Sequence, residues 1–159
     1  MPAAAFCAPL ADAGQYRLIN AHTGHVVAEE VERALTRRAR KQGLLGRDGL
    51  DPSSALIIAP CFAVHTIGMR FAIDVLFVTR GGQILKMVTG LDRWRVSAAG
   101  GAYAAIEFAA GALASRALAV GDRLYLAPAT RASLAIVAPR CDAVSSQNST
   151  TRGWPSSAA

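Results

Sequence analysis

The stretch Phe71-Ala72-Ile73-Asp74-Val75-Leu76-Phe77-Val78-Thr79 decides the fold class. Phe71, Ile73, Val75 and Phe77 share one face of an extended chain, and Leu76 and Val78 share the other. Apolar residues on both faces describe a strand buried within a sheet rather than one at its edge. Gly81-Gly82 then reads as a tight turn, and Ile84 to Thr89 as the returning strand of a hairpin.

Similar segments flank this hairpin. Ala55 to Ala59 is a compact apolar strand, opened by the turn Asp51-Pro52-Ser53-Ser54 and ended by Pro60. Tyr16 to Asn20 alternates as a strand does, with His22-Thr23-Gly24 as its turn and His25 to Ala28 returning. Tyr103 to Ala109, Arg123 to Ala127 and Ser133 to Val137 add further extended segments. Helix is expected in two places. One is Val31 to Gln42, with Thr36 as N-cap and Gly43 as C-terminal stop; the other is the Ala-rich turn from Gly111 to Ala119. The expected class is α+β, mainly β: a small, largely antiparallel, partly closed sheet or barrel with one or two short helices. Residues 1–14 are expected to be a flexible N-terminus, 15–138 a single β-rich domain, and 139–159 a disordered tail rich in Ser, Thr and Asn.

Composition narrows the function classes. A hydrophobic fraction of 52% against 18% charged residues supports a core and excludes a wholly disordered chain. No run approaches the roughly 18 apolar residues of a membrane helix, so no span is expected. Cys7, Cys61 and Cys141 stand far apart without CxxC spacing, which argues against a disulfide framework or a structural zinc site. The first fourteen residues lack the basic opening of a secretory signal, and a cytoplasmic, reducing location is the expectation. The net charge of +6 is concentrated between Val31 and Asp51, where Arg33, Arg37, Arg38, Arg40, Lys41 and Arg47 outnumber three acids. Such a cluster is either a solvated helix face or a weak contact for anions or nucleic acid.

The densest set of reactive side chains is Cys61, His65 and Met69, at successive spacings of four. Their chemistry suits a soft metal, but the spacing aligns them only on a helix. Pro60, Gly68 and the β-branched Val64, Thr66 and Ile67 oppose one, and four extended residues span about 13 Å. No metal or other cofactor is therefore assigned. Two acids, Asp74 and Glu107, sit inside apolar strand patterns, where desolvation demands a partner or a proton. His65, Arg47 and Arg70 are the candidate partners. Such a grouping is either a buried pair that fixes register or a cleft for acid–base work. No phosphate-binding glycine loop or nucleophile elbow is present. Trp94, between Arg93 and Arg95, either stacks on a ligand ring or packs at a sheet rim under its arginines.

Arg40 to Arg47 (RKQGLLGR), Val64 to Phe77 (VHTIGMRFAIDVLF), the turn at Gly81-Gly82-Gln83-Ile84, Ile106-Glu107 with Gly111, and Gly121-Asp122 occur in the order found in domain of unknown function 192, which the chain resembles from Tyr16 to Ala127. It is most similar to the branch reading Cys-x-x-x-His-Thr, in place of the commoner Trp-Met-x-Asn-Thr. The resemblance implies a compact β-rich domain with little helix and brings no reaction, cofactor or substrate. Its recurring polar positions fall on Arg47, His65, Thr66, Asp74 and Glu107, and all of these but Thr66 are residues the burial argument selects.

The resulting expectation is a non-enzymatic accessory domain that binds a small anionic ligand or a partner protein in a polar cleft of Arg47, His65, Thr66, Asp74 and Glu107. Two alternatives stay open: a hydrolase-like or proton-transfer enzyme using His65 and a carboxylate, and a weak nucleic-acid or anion binder acting through Arg37 to Arg47.

Overall fold

A computed structural model of the chain describes Phe6 and residues 14–129. The expected tails beyond these, the segment Ser133 to Val137, Cys7 and Cys141 lie outside the described residues.

Among the described residues, ten strands and one short helix follow the order β1 (Tyr16–Asn20), β2 (Val26–Ala28), β3 (Glu30–Ala34), α1 (Arg37–Gln42), β4 (Ser54–Ile58), β5 (Ala63–His65), β6 (Ile73–Val78), β7 (Ile84–Leu91), β8 (Val96–Ala98), β9 (Ala104–Ala109) and β10 (Leu124–Pro128). The central sheet runs β3-β4-β9-β6-β7, a smaller sheet runs β10-β1-β2, and β5 and β8 form a two-stranded ribbon. None closes into a barrel: the structure stacks open sheets instead. All pairings are antiparallel except β3 with β4. That parallel pair corrects the expected helix, whose first turn from Val31 to Ala34 is strand. Pairing with β4 buries Val31 and Ala34, which an isolated basic helix would leave in water. Of the expected Val31–Gln42 helix, Arg37–Gln42 alone is helical, with the Thr36 hydroxyl accepting from the Ala39 amide and Gly43 ending it at φ +47°. The expected Ala-rich helix after Gly111 is a series of turns.

β4 and β6 are buried along their whole length, and β9 along all but its last residue. The face predicted from sequence is present: Ile73, Val75 and Phe77 pack under α1 with Leu56, Ile58, Leu44 and Met69. Leu76 and Val78 face the opposite way, against Leu18, Val27, Leu124 and Leu126 of the small sheet. The layers are thus the small sheet, the central sheet, and a third layer of α1, its following loop and the β5–β8 ribbon.

The β6–β7 turn joins two of these layers. Gly82, at φ +82°, lies against β10, where its carbonyl accepts from the Leu124 amide at 2.9 Å. A Cβ there would stand 2.2 Å from the Leu124 carbonyl oxygen. Only glycine permits this approach.

Candidate functional site

The pleat of the central sheet sorts the two acids. In β9, Glu107 pairs with Leu56 of β4 and with Val75 of β6, while Asp74 pairs with Phe108. Successive residues of a strand point to opposite faces. Glu107 therefore lies on the α1 face and Asp74 on the small-sheet face. The expected meeting of Asp74 with His65 and Glu107 does not occur, and a buried five-stranded layer separates the two carboxylates.

Asp74 is a structural acceptor. One carboxylate oxygen accepts from the Gly90 amide at 2.7 Å and the other from the Leu113 amide at 3.0 Å. Burial lowers the Arg116 guanidinium, the Asp74 charge opposes that, and the guanidinium lies over the Phe108 ring. Arg70 instead pairs with Asp48 at the surface. Thr66, fully buried, is structural as well. Its hydroxyl donates to the Asp92 carbonyl at 2.6 Å and accepts from the Arg95 amide at 2.9 Å. It pins the 92–95 turn to the end of β5.

Glu107 differs from both. It is 3% exposed, and its Oε2 has no hydrogen-bond partner among the described residues. Burial pushes its carboxyl up to about 7, against a smaller opposing pull from Arg47. Across the sheet the row runs Glu32, Leu56, Glu107, Val75, so Glu32 and Glu107 share a face two strands apart. Arg47, in the loop after α1, grips Glu32 through two parallel hydrogen bonds of 2.7 Å. That fork lowers the Glu32 carboxyl and raises the Arg47 guanidinium, to which the Glu107 charge adds. Arg47 is thereby committed to Glu32, and Glu107 receives only its field.

Glu107 lines a cavity of about 170 Å³ between α1 and the β4–β5 connection. Its wall also includes Arg40 and Lys41 of the helix, Gly43 and Leu44 after it, and Cys61, His65 and Met69. The local reasons are clear. Thr36 and Gly43 cap the helix at both ends, and Arg40 donates to the Leu35 and Ala59 carbonyls, which ties the helix to the ends of β3 and β4. After Ala59 comes a cis peptide to Pro60, and the Cys61 thiol then donates to the Ala63 carbonyl at 3.0 Å. Burial raises that thiol, and the Glu107 charge raises it further, against the hydrogen bond to Ala63 and the Arg40 charge. It is a thiol, not a thiolate, near neutral pH. His65 stands exposed on β5 at the cavity wall. β5 is extended, as the spacing argument for Cys61, His65 and Met69 requires. Among the described residues no group of three His, Cys, Asp or Glu side chains is placed to hold a metal ion.

Of the five expected cleft residues, the cavity thus contains His65 and Glu107, with Arg47 acting on Glu107 by its charge alone. Asp74 and Thr66 lie elsewhere. Sequence reasoning missed Arg40 and Lys41 as cavity residues, having read them with the basic helix face. Their position in RKQGLLGR, three residues before the loop that carries Leu44 and Arg47, is the signal that was available.

No protein of curated function matches the chain. A crystal structure of a candidate transcription regulator from Sinorhizobium meliloti 1021 is similar in fold, with a TM-score of 0.63, 22% identity, and coverage of 71% of this chain and 92% of that one. A protein of unknown function from Novosphingobium aromaticivorans DSM 12444 gives a TM-score of 0.59 at 20% identity, over 69% of this chain and 82% of that one. No helix among the described residues is long and apolar enough to cross a membrane. Residues 18–126 match the family of domain of unknown function 192, described as "Uncharacterized ACR", and that span covers every element of the fold but the ends of β1 and β10: the chain belongs to this family.

Proposed function

We propose that the domain is a non-enzymatic accessory protein that binds a small anionic ligand in the cavity between α1 and β5. The observation that carries this reading is the Glu107 Oε2 atom, buried, without a partner among the described residues, and set in a cavity whose lining includes Arg40 and Lys41. A buried polar atom left unpaired costs on the order of 1–3 kcal/mol, which a bound hydrogen-bond donor recovers. Arg40 and Lys41 attract the anionic end of a ligand, and Glu107 takes a hydroxyl, amine or acid proton at the other end. A short hydroxy- or amino-acid anion has both features.

A ligand titration followed by backbone amide NMR tests this, using lactate, glycine and inorganic phosphate as probes. The expected result is shifts confined to Arg40–Leu45 and Cys61–His65 that disappear in Glu107→Leu. Shifts spread over all exposed basic residues, unchanged in Glu107→Leu, refute the cavity. A proton-transfer enzyme is the second reading. It draws on the same carboxyl, because an acid near 7 that shares a cavity with His65 is matched to general acid–base work at neutral pH. Turnover across an ester, phosphate and glycoside panel that is lost in both His65→Ala and Glu107→Gln would favour it over simple binding.

A further inference from the structure

The β5–β8 ribbon carries an exposed apolar surface that the cavity does not use. Val64 and Ser97 are buried beneath it, while His65 pairs with Val96 on its outer side. Trp94 is 69% exposed, Val96 66%, Phe62 67% and Ile67 43%. A Trp this open is unusual, since large aromatic side chains dominate cores and interfaces.

The backbone at Trp94 is also held in a costly state. Its φ is +62°, and it is the one non-glycine residue at positive φ among those described. For a bulky side chain this conformation is an outlier that persists only when surrounding structure enforces it. Thr66 supplies the enforcement: its carbonyl accepts from the Trp94 amide at 3.2 Å, and its hydroxyl grips the turn at Asp92 and Arg95. The fold thus uses a buried threonine to hold an indole out in water. Arg93 and Arg95 flank the indole, both exposed, and neither has an ion pair with a described residue. The nearby acid Asp92 is turned onto the Arg93 amide.

We propose that this ribbon docks the protein on an anionic lipid bilayer, with Trp94, Val96 and Ile67 entering the headgroup boundary and Arg93 and Arg95 on lipid phosphates. Charge complementarity calls for an acidic partner. Ile67 and Val96 have no ring to stack on a base, which disfavours nucleic acid, whereas hydrocarbon accepts aliphatic and aromatic side chains alike. An indole between two guanidinium groups also suits the bilayer interface, where amphipathic side chains place an apolar body below a polar tip. This proposal is independent of the cavity and of what it binds.

The test is co-sedimentation of the full chain with vesicles of phosphatidylserine and phosphatidylcholine, against phosphatidylcholine alone, at low salt. A Trp154→Phe background leaves Trp94 as the single tryptophan, which is excited selectively over the tyrosines. The parent should bind the anionic vesicles with a blue shift of Trp94 emission and bind the neutral ones far more weakly. Each of Arg93→Ala and Arg95→Ala should weaken binding about fivefold. Trp94→Gly should weaken it about tenfold or more. Glycine suits φ +62°, so this variant should melt at or above the parent temperature, and Trp94→Asn, which also tolerates that conformation, serves as the second variant. Failure of the parent to bind anionic vesicles overturns the proposal, as does binding that both Trp94 variants retain. Tight binding to poly-glutamate or single-stranded DNA with none to vesicles overturns it too, in favour of an acidic protein or a nucleic acid.

Discussion

Replacing Glu107 by Gln keeps the size of the side chain and removes its proton equilibrium, so comparison of the two proteins isolates one buried group. The carboxyl moves from 4.5 in the unfolded chain to about 7 in the folded one. Folding therefore raises proton affinity, and the sign follows. Its contribution to stability is fully present below about pH 4.5, where both states hold the proton. Between about pH 4.5 and 7 the unfolded chain releases its proton while the folded one keeps it, and stability falls as pH rises. At roughly 1.4 kcal/mol for each tenfold in affinity, the loss is about 3 kcal/mol by pH 8. For a domain whose total stability is on the order of 5–15 kcal/mol this is a large fraction. Urea unfolding of the parent and Glu107→Gln at several pH values from about 4.5 to 8 measures it directly. The gap between the two curves should change by about 3 kcal/mol in favour of the glutamine protein at high pH. Curves that stay parallel would refute the argument, because they require a carboxyl that titrates alike in both states, as a hydrated one does.

Other perturbations probe the remaining acids, the turn chemistry and the layer contacts. Asp74→Ala leaves the Gly90 and Leu113 amides without their acceptor and should cost about 3 kcal/mol or more by chemical denaturation, with Asp74→Asn milder. Equal stability in both variants and the parent would show that these amides find other partners. Gly82→Ala drives a Cβ into the Leu124 carbonyl and should lower the melting temperature strongly or prevent folding, whereas a parent-like melt would place β10 elsewhere. Thr66→Val preserves shape and removes the hydroxyl that bridges Asp92 and Arg95; a loss of about 2 kcal/mol and faster amide exchange at Arg95 are expected. Unchanged exchange at Arg95 would mean that the turn holds itself. Arg47→Met removes the cation whose charge pulls the Glu107 carboxyl down, so that carboxyl should titrate still higher, as followed by side-chain carbonyl NMR.

Much of the architecture was legible because it depends on local pattern. Two-sided apolar segments marked β4, β6 and β9, alternation marked β1, Gly81-Gly82 marked the β6–β7 turn, and Thr36 and Gly43 set the ends of α1. Two segments misled: the Ala-rich stretch after Gly111, which turns instead of coiling into a helix, and Val31–Ala34. The residues of Val31–Ala34 tolerate helix or strand, and the parallel pairing with β4 that decides the matter comes from residues more than twenty positions away. Burial of Asp74 and Glu107 was also legible, since an acid within an apolar strand pattern is placed in the interior whichever sheet the strand joins.

The sequence by itself therefore determined which segments extend, which acids go inside, and where basic residues accumulate, because periodicity and residue type act over a few neighbours. Tertiary structure alone decided what those acids do. Pairing Val75 rather than Asp74 with Glu107 puts the two carboxylates on opposite faces of one sheet. Backbone amides then satisfy Asp74, Glu32 captures Arg47, and Glu107 is left facing the cavity beneath α1. Register across strands distant in sequence fixes those neighbours, and no single strand carries that information.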